Sequence, residues 1–349
     1  MNDVADLERV SPVATDGEIA AINLESSRRN SWRRFLADPR RDGLAEAIVE
    51  EEMLAAQYLG DLDALDRMAM VADELARADE SSGRTALVQA QVASAAHRFA
   101  EARQHLAHAR SRGAPSAQVD RQALSVDQAC GTQLDAVLDA RRRIAAASGG
   151  LEDLVPLGAL LADMERFDEA DGVYRQALDA YDDVSPFPLA WVCFQLGMLW
   201  GELATNPDTD RAASWYRRAI EYLPGYVKAR VHLAEICAQR GRLADAEALL
   251  VPALPSGDPE VMWRFADVLL LQGKRDEAAT QLDAARSRFE ELLARHPRAF
   301  ADHAAEFYAG SGGDPRRALE LAHANAVNRP TRRAIDQVAA IEQVARALA

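Results

Sequence analysis

The sequence predicts an all-α protein, a solenoid of antiparallel helix hairpins, and three observations carry that expectation. Between Leu151 and about Pro330 a small residue is followed four positions on by an aromatic or aliphatic one, and three beyond that by alanine. The ladder reads Ala170/Tyr174/Ala177, Ala212/Tyr216/Ala219, Ala246/Leu250/Ala253 and Ala278/Leu282/Ala285, with a weaker Ala318/Ala322/Asn325. About twelve residues ahead of each leading alanine stands a large apolar residue and then a small one: Leu157-Gly158, Leu233-Ala234 and Phe265-Ala266. Leu196-Gly197 does the same with about three extra residues before Ala212, which the turn Asn206-Pro207-Asp208 can absorb. Finally, prolines such as Pro224 and Pro330 close the copies. Small residues at such points let two helices cross closely while the large ones fill the space between them. The repeating unit is a helix hairpin of about 34 residues, a period that marks a solenoid.

Taken in order, the chain divides into four segments. Residues 1–42 begin with coil, from Ser11-Pro12 through Gly17, and continue as one helix over Glu18 to Phe35 with Ile19, Ile22, Trp32 and Phe35 apolar. Arg28, Arg29, Arg33, Arg34, Arg40 and Arg41 make this the basic stretch of the chain. It is expected to dock on the acidic body, inside a groove or on a second copy, since it lacks the aromatic interleaving of a nucleic-acid arm. Residues 43–148 read as diverged hairpins. Leu44, Ile48, Met53, Leu54 and Tyr58 run to Gly60-Asp61, where Asp61 can cap a helix carrying Leu62, Leu65, Met68 and Leu75. Leu87, Val92 and Phe99, then Ala102, Leu106 and Ala109, form the next hairpin, and Gly131-Thr132 turns the one after it. Gly149-Gly150 opens the regular array, 149–330. Residues 331–349, with Ile335, Val338, Ile341 and Val344 at helical spacing, read as a capping helix. About eight hairpins are expected, in one elongated array.

Composition bounds the partners. At 349 residues and 49% hydrophobic content the chain can bury a large apolar surface. A net charge of −15 opposes nucleic acid and anionic membranes as ligands and favours basic or neutral ones. No apolar run reaches bilayer length, and the acidic start, Met1 to Glu8, lacks the basic and apolar regions of a signal peptide. A cytoplasmic location is expected. Only Lys228 and Lys274 stand against many arginines, and alanine is abundant, a bias that points to a GC-rich bacterial genome. Cys130, Cys193 and Cys237 show no metal-ligand spacing and read as structural.

The ladder residues resemble the tetratricopeptide repeat family, best over Leu154 to Ala177 and Leu196 to Pro224. Cys193 stands where that family usually has tryptophan, and Asn325 where it usually has alanine. The resemblance implies a right-handed superhelix whose concave wall, built from the first helix of each pair, usually holds a protein or peptide segment.

Catalytic and cofactor chemistry is not indicated. Gly310-Ser311-Gly312-Gly313 precedes Asp314-Pro315 as an inter-helix loop and not a phosphate cradle. Glu101, His105 and His108 share a helical face but lack a fourth ligand, and Asp61, Asp63 and Asp66 lack the glycine and terminal glutamate of a calcium loop. No cofactor or metal is expected. One feature exceeds scaffold. On the helix from Ala190, Trp191, Phe194 and Met198 make a second apolar stripe at i, i+3 and i+7. The matching faces of the next two first helices offer Lys228, Val231 and Glu235, then Trp263, Asp267 and Leu270, with Glu260 on the last helix as well. These describe a partner-binding groove with aromatic anchors and a carboxylate rim, unless the chain's own helices cover it. It suits a protein or peptide segment that is apolar and carries Arg or Lys. The function expected is a non-catalytic scaffold or adaptor, with homo-oligomerisation possible. A regulatory sensor module binding a small-molecule or peptide signal is the alternative.

Overall fold

The computed structural model describes residues 14–348. The acidic start and the first part of the coil expected before Gly17 lie outside the described residues. Among the described residues the chain forms eighteen α-helices and no strand. They are consecutive hairpins of an all-α solenoid type, and the described residues gather into two compact units, 14–23 with 138–229, and 24–137 with 230–348. The unit boundaries fall inside α1 (Gly17–Ala37), α7 (Leu134–Ser148) and α12 (Val227–Gln239).

In the first unit, α8 (Leu151–Asp163) pairs with α9 (Phe167–Asp179), and α10 (Pro186–Met198) with α11 (Thr209–Tyr222). Ala170, Tyr174, Ala177, Ala212, Tyr216 and Ala219 are all buried, as the ladder requires. The glycines meet the tyrosines of that ladder more closely than its leading alanines: a Cβ on Gly158 would fall 2.8 Å from Tyr174 Cε1. The extra residues before Ala212 do not sit in the Asn206-Pro207-Asp208 turn alone. Leu199–Leu203 forms a π-helical turn, closed by the Ala204 N–H donating to the Leu199 carbonyl at 2.9 Å. Such a turn accommodates an inserted residue without breaking the helix. Asp171 holds it, accepting from Trp200 Nε1 at 2.9 Å and from Arg211 at 2.8 Å.

In the second unit, α2 (Leu44–Leu59), α3 (Ala64–Ala78), α4 (Gly83–Ala95), α5 (Phe99–Ser111) and α6 (Ser116–Ala129) succeed one another. Asp61 does not cap α3, which begins at Ala64. Its carboxylate pairs instead with Arg28 at 3.0 Å and with Arg67 at 2.5 Å. The basic segment is seated on α2, where Phe35 is fully buried and Trp32 Nε1 donates to Glu52 at 2.8 Å. Ile19 and Ile22 face solvent. Burial on α1 falls on Ala20, Leu24, Ser31 and Phe35, so of the expected apolar residues Phe35 is buried and Trp32 half-buried.

The later helices of this unit are α13 (Leu243–Leu250), then α14 (Pro259–Leu271) paired with α15 (Arg275–Arg295), α16 (Ala301–Ala309) paired with α17 (Pro315–Asn328), and α18 (Arg332–Leu348). A strict solenoid buries each repeat only against its neighbours. Here Met68, Val71, Leu75, Val88 and Val92 share one core with Phe289, Leu292, Leu293, Phe300 and Phe307. The cause is the length of α15, 21 residues against 13 for α14. Its last two turns carry Phe289, Leu292 and Leu293 beyond the ladder, and Arg288 and Arg295 pair there with Asp63 at 3.0 and 2.8 Å. The hairpin turns share one geometry: Glu165 and His97 adopt positive φ (60° and 55°) where Gly241 and Gly273 do (72° and 80°).

Candidate protein-binding cleft

Pro252 and Pro255 decide the local structure. Proline cannot continue a helix, so α13 stops at Leu250 after only 8 residues and passes into a 3-10 turn, Val251–Ser256. Gly257 then reverses the chain at φ 72°, and Asp258 caps α14 by accepting from the Glu260 N–H at 2.9 Å. Where α13 ends, a cleft of about 360 Å³ opens between α12, α13 and α14. Ala234, Ala238, Leu250, Val268 and Leu271 supply its apolar wall, and Glu235, Gln239, Arg264 and Asp267 its polar one. Leu271 is 62% exposed at the mouth.

The charged groups are interlocked. Arg264 Nε lies 2.7 Å from Glu235 Oε1, and its Nη1 stays 3.9 Å from Asp267 Oδ2. The guanidinium carbon sits 3.7 Å above the Trp263 ring, a cation–π contact that fixes its plane. Asp267 also accepts from the Ser311 hydroxyl. Burial pushes the Asp267 carboxyl above its ordinary range, and Ser311 and Arg264 offset that only in part.

The residues expected to line a groove fare unequally. In the first unit Phe194 and Met198 are interior, Phe194 lying 5.7 Å from Tyr216 and 5.2 Å from Tyr226 between ring centroids. Trp191, half-buried, stacks on Phe194 at 5.9 Å, and Lys228 is half-buried. In the second unit Val231 is buried, and Trp263, 4% exposed, packs edge-on against Phe307 at 5.7 Å. The aromatic stripes are thus largely covered by the chain's own helices. Glu235 and Asp267 do line one cleft, and Leu270 is exposed on α14. Gln239, Arg264 and Leu271 were not anticipated. Gln239 and Leu271 continue the faces of Glu235 and Asp267 by four residues, and that spacing is the signal that could have found them.

Elsewhere the structure offers little chemistry. Cys130, Cys193 and Cys237 are free and buried, and burial pushes the Cys193 thiol up to about 12. Among the described residues no three His, Cys, Asp or Glu side chains are grouped to hold a metal ion, and no helix is long and apolar enough to cross a membrane. Glu101 pairs with Arg98 at 3.1 Å, and burial lowers the pKa of the His105 imidazole.

Residues 204–257, which span α11 to the end of the 3-10 turn, match the tetratricopeptide repeat family. Over those residues the chain carries tetratricopeptide repeats, and the helix hairpins and ladder on either side follow the same pattern. No curated protein matches it in sequence. Among solved structures it is similar to the protein MamA, at 18% identity and a TM-score of 0.40 over 49% of this chain and 96% of that one. YrrB, described as a TPR protein with an unusual peptide-binding site, aligns at 15% identity and a TM-score of 0.33, over 65% and 96% of the two chains. A tetratricopeptide repeat protein from Parabacteroides merdae aligns at 11% and 0.42, over 74% and 98%.

Proposed function

We propose that this protein is a non-catalytic scaffold or adaptor that docks a segment of another protein, and that the cleft between α12, α13 and α14 is a contact point for it. The observation that carries the reading is the cleft itself: an apolar wall, a small set of fixed polar groups, and an exposed leucine at the mouth. Recognition sites combine those elements, an apolar anchor point and a few oriented polar groups. Affinity capture with the unmodified chain and with Leu271→Arg tests it. A partner retained by the first and lost by the second supports docking at this cleft, and equal retention refutes it.

A volume of about 360 Å³ also favours a second reading. It falls within the roughly 300–1,000 Å³ range of small-molecule sites, so a sensor module binding a small signal is the alternative. A metabolite that raises the melting temperature of the unmodified chain, and not of Leu271→Arg, would favour the sensor.

A further inference from the structure

The charges inside the cleft are not balanced. Glu235 on α12 and Asp267 on α14 bring two carboxylates, and Arg264 brings one guanidinium. That guanidinium is committed: it contacts Glu235 at 2.7 Å and sits over the Trp263 ring, 3.7 Å from its centroid, while Asp267 is 3.9 Å away. The hydroxyl of Ser311 donates to Asp267 and is neutral, as is the Trp263 indole beside it. A half-buried carboxylate beside Val268 and Leu271 whose nearest cation stands 3.9 Å away is only partly compensated, and the raised pKa of Asp267 follows from its burial. An anionic ligand would meet two like charges here. A purely apolar one would bury Asp267 further with nothing to compensate it.

We infer that the cleft is a receptor for a basic side chain, arginine or lysine, carried on an apolar segment of a partner protein, with its cation on Asp267 and its aliphatic stem along Val268 and Leu271. The inference rests on the reading of the cleft as a docking site. Long basic side chains are suited to it, because their methylene stems bury against apolar surface while the charged head finds a partner. Arg264 stays in place as part of the wall, so binding requires no rearrangement of the Glu235 pair.

Two peptides test this, acetyl-Leu-Arg-Leu-amide and the same peptide with citrulline, which keeps the shape and removes the charge. Binding is followed through the indole N–H resonance of Trp263 in the full chain. The arginine peptide should bind at least about tenfold more tightly, the worth of one charge-assisted hydrogen bond. That preference should vanish in Asp267→Asn and shrink at about 0.5 M salt, where exposed charges are screened. The peptide pair on the unmodified chain decides the matter even if the variant folds poorly. Equal binding of both peptides overturns the cation reading and leaves the docking reading intact. If neither peptide perturbs the cleft at millimolar concentration, both readings are overturned.

Discussion

Tyr216 lies so close over Gly197 that a Cβ on that glycine would fall 2.4 Å from the ring's Cε1. The tyrosine is buried, and its other side meets Phe194 at 5.7 Å, so the ring has nowhere to retreat. Gly197→Ala is therefore expected to destabilise the protein by about 1–3 kcal/mol through overpacking. Gly172, on the exposed face of α9, has no atom within 4 Å of where its Cβ would stand. There the same substitution should stabilise by about 0.5–1 kcal/mol, since alanine is the better helix former. Paired denaturant melts decide it, and effects of equal sign would refute the close packing.

Glu165 and His97 occupy the left-handed turn position that glycine fills at 241 and 273. A side chain there costs about 1–2 kcal/mol, part of which a glycine gives back through its freer unfolded chain. Glu165→Gly should raise stability by up to about 1 kcal/mol. His97→Gly should lower it, because the His97 ring contacts the Arg298 carbonyl at 3.2 Å and stacks on Phe99 at 5.3 Å, contacts that glycine loses. Urea titrations of the two variants should move in opposite directions.

Asp63 and Asp267 should give opposite dependences on pH. Burial alone would raise Asp63, but hydrogen bonds from Arg295 and Arg288 outweigh it and hold the carboxyl below its usual range. Its folded form binds fewer protons than its unfolded form, so it stabilises the protein above the ordinary carboxylate range and loses that contribution as pH falls through the lowered value. Asp267, raised by burial, binds more protons when folded. Its ionised form weakens folding at neutral pH, and that deficit is relieved as pH falls through the raised value. The stability difference between the unmodified chain and Asp63→Asn should shrink on acidification. Against Asp267→Asn it should move in favour of the unmodified chain. Melting temperatures across the acid range check both.

Glu52 has a side chain only 1% exposed and serves three donors, Arg28 at 2.7 Å, Arg67 at 2.9 Å and Trp32 at 2.8 Å. Removing one member of a buried pair strands the others, at about 3–5 kcal/mol. Asp61 remains beside both arginines, so Glu52→Ala is expected near about 3 kcal/mol. Loss of α1 protection in hydrogen exchange should accompany it. A change below about 0.5 kcal/mol, the level of an ordinary surface substitution, would show that the cluster is solvent-like.

Much of the fold is legible because the ladder is a statement about nearest neighbours. Ala170, Tyr174 and Ala177 specify how α9 meets α8, and the turns at Gly60, Gly131 and Gly241 mark where helices reverse. The sharing of one core by α2–α4 with α15–α17 is a long-range fact, and no local spacing encodes it. Its trace is the apolar run Phe289, Leu292, Leu293, which continues after the ladder has been satisfied. The same ambiguity affects the aromatic stripes. An apolar face left over on a first helix serves a ligand or another hairpin equally well, and for Phe194 and Trp263 it serves the interior. Glu235 and Asp267 were readable as a carboxylate rim. The commitment of Arg264 to Glu235 was not, since it depends on the orientation of the Trp263 ring.

The shared core of residues 24–137 and 230–348 sets an order on synthesis. Helices α2–α4 leave the ribosome with Met68, Val71, Leu75 and Val88 facing partners that do not yet exist. Residues 96–288 must be made first, on the order of 10–40 s at about 5–20 residues per second. Throughout that interval the early hairpins carry an uncovered apolar face, a target for chaperones and a point of aggregation under fast expression. Lowering the expression level or supplying a holdase should raise the soluble yield of this chain more than that of a strictly neighbour-packed array of equal length.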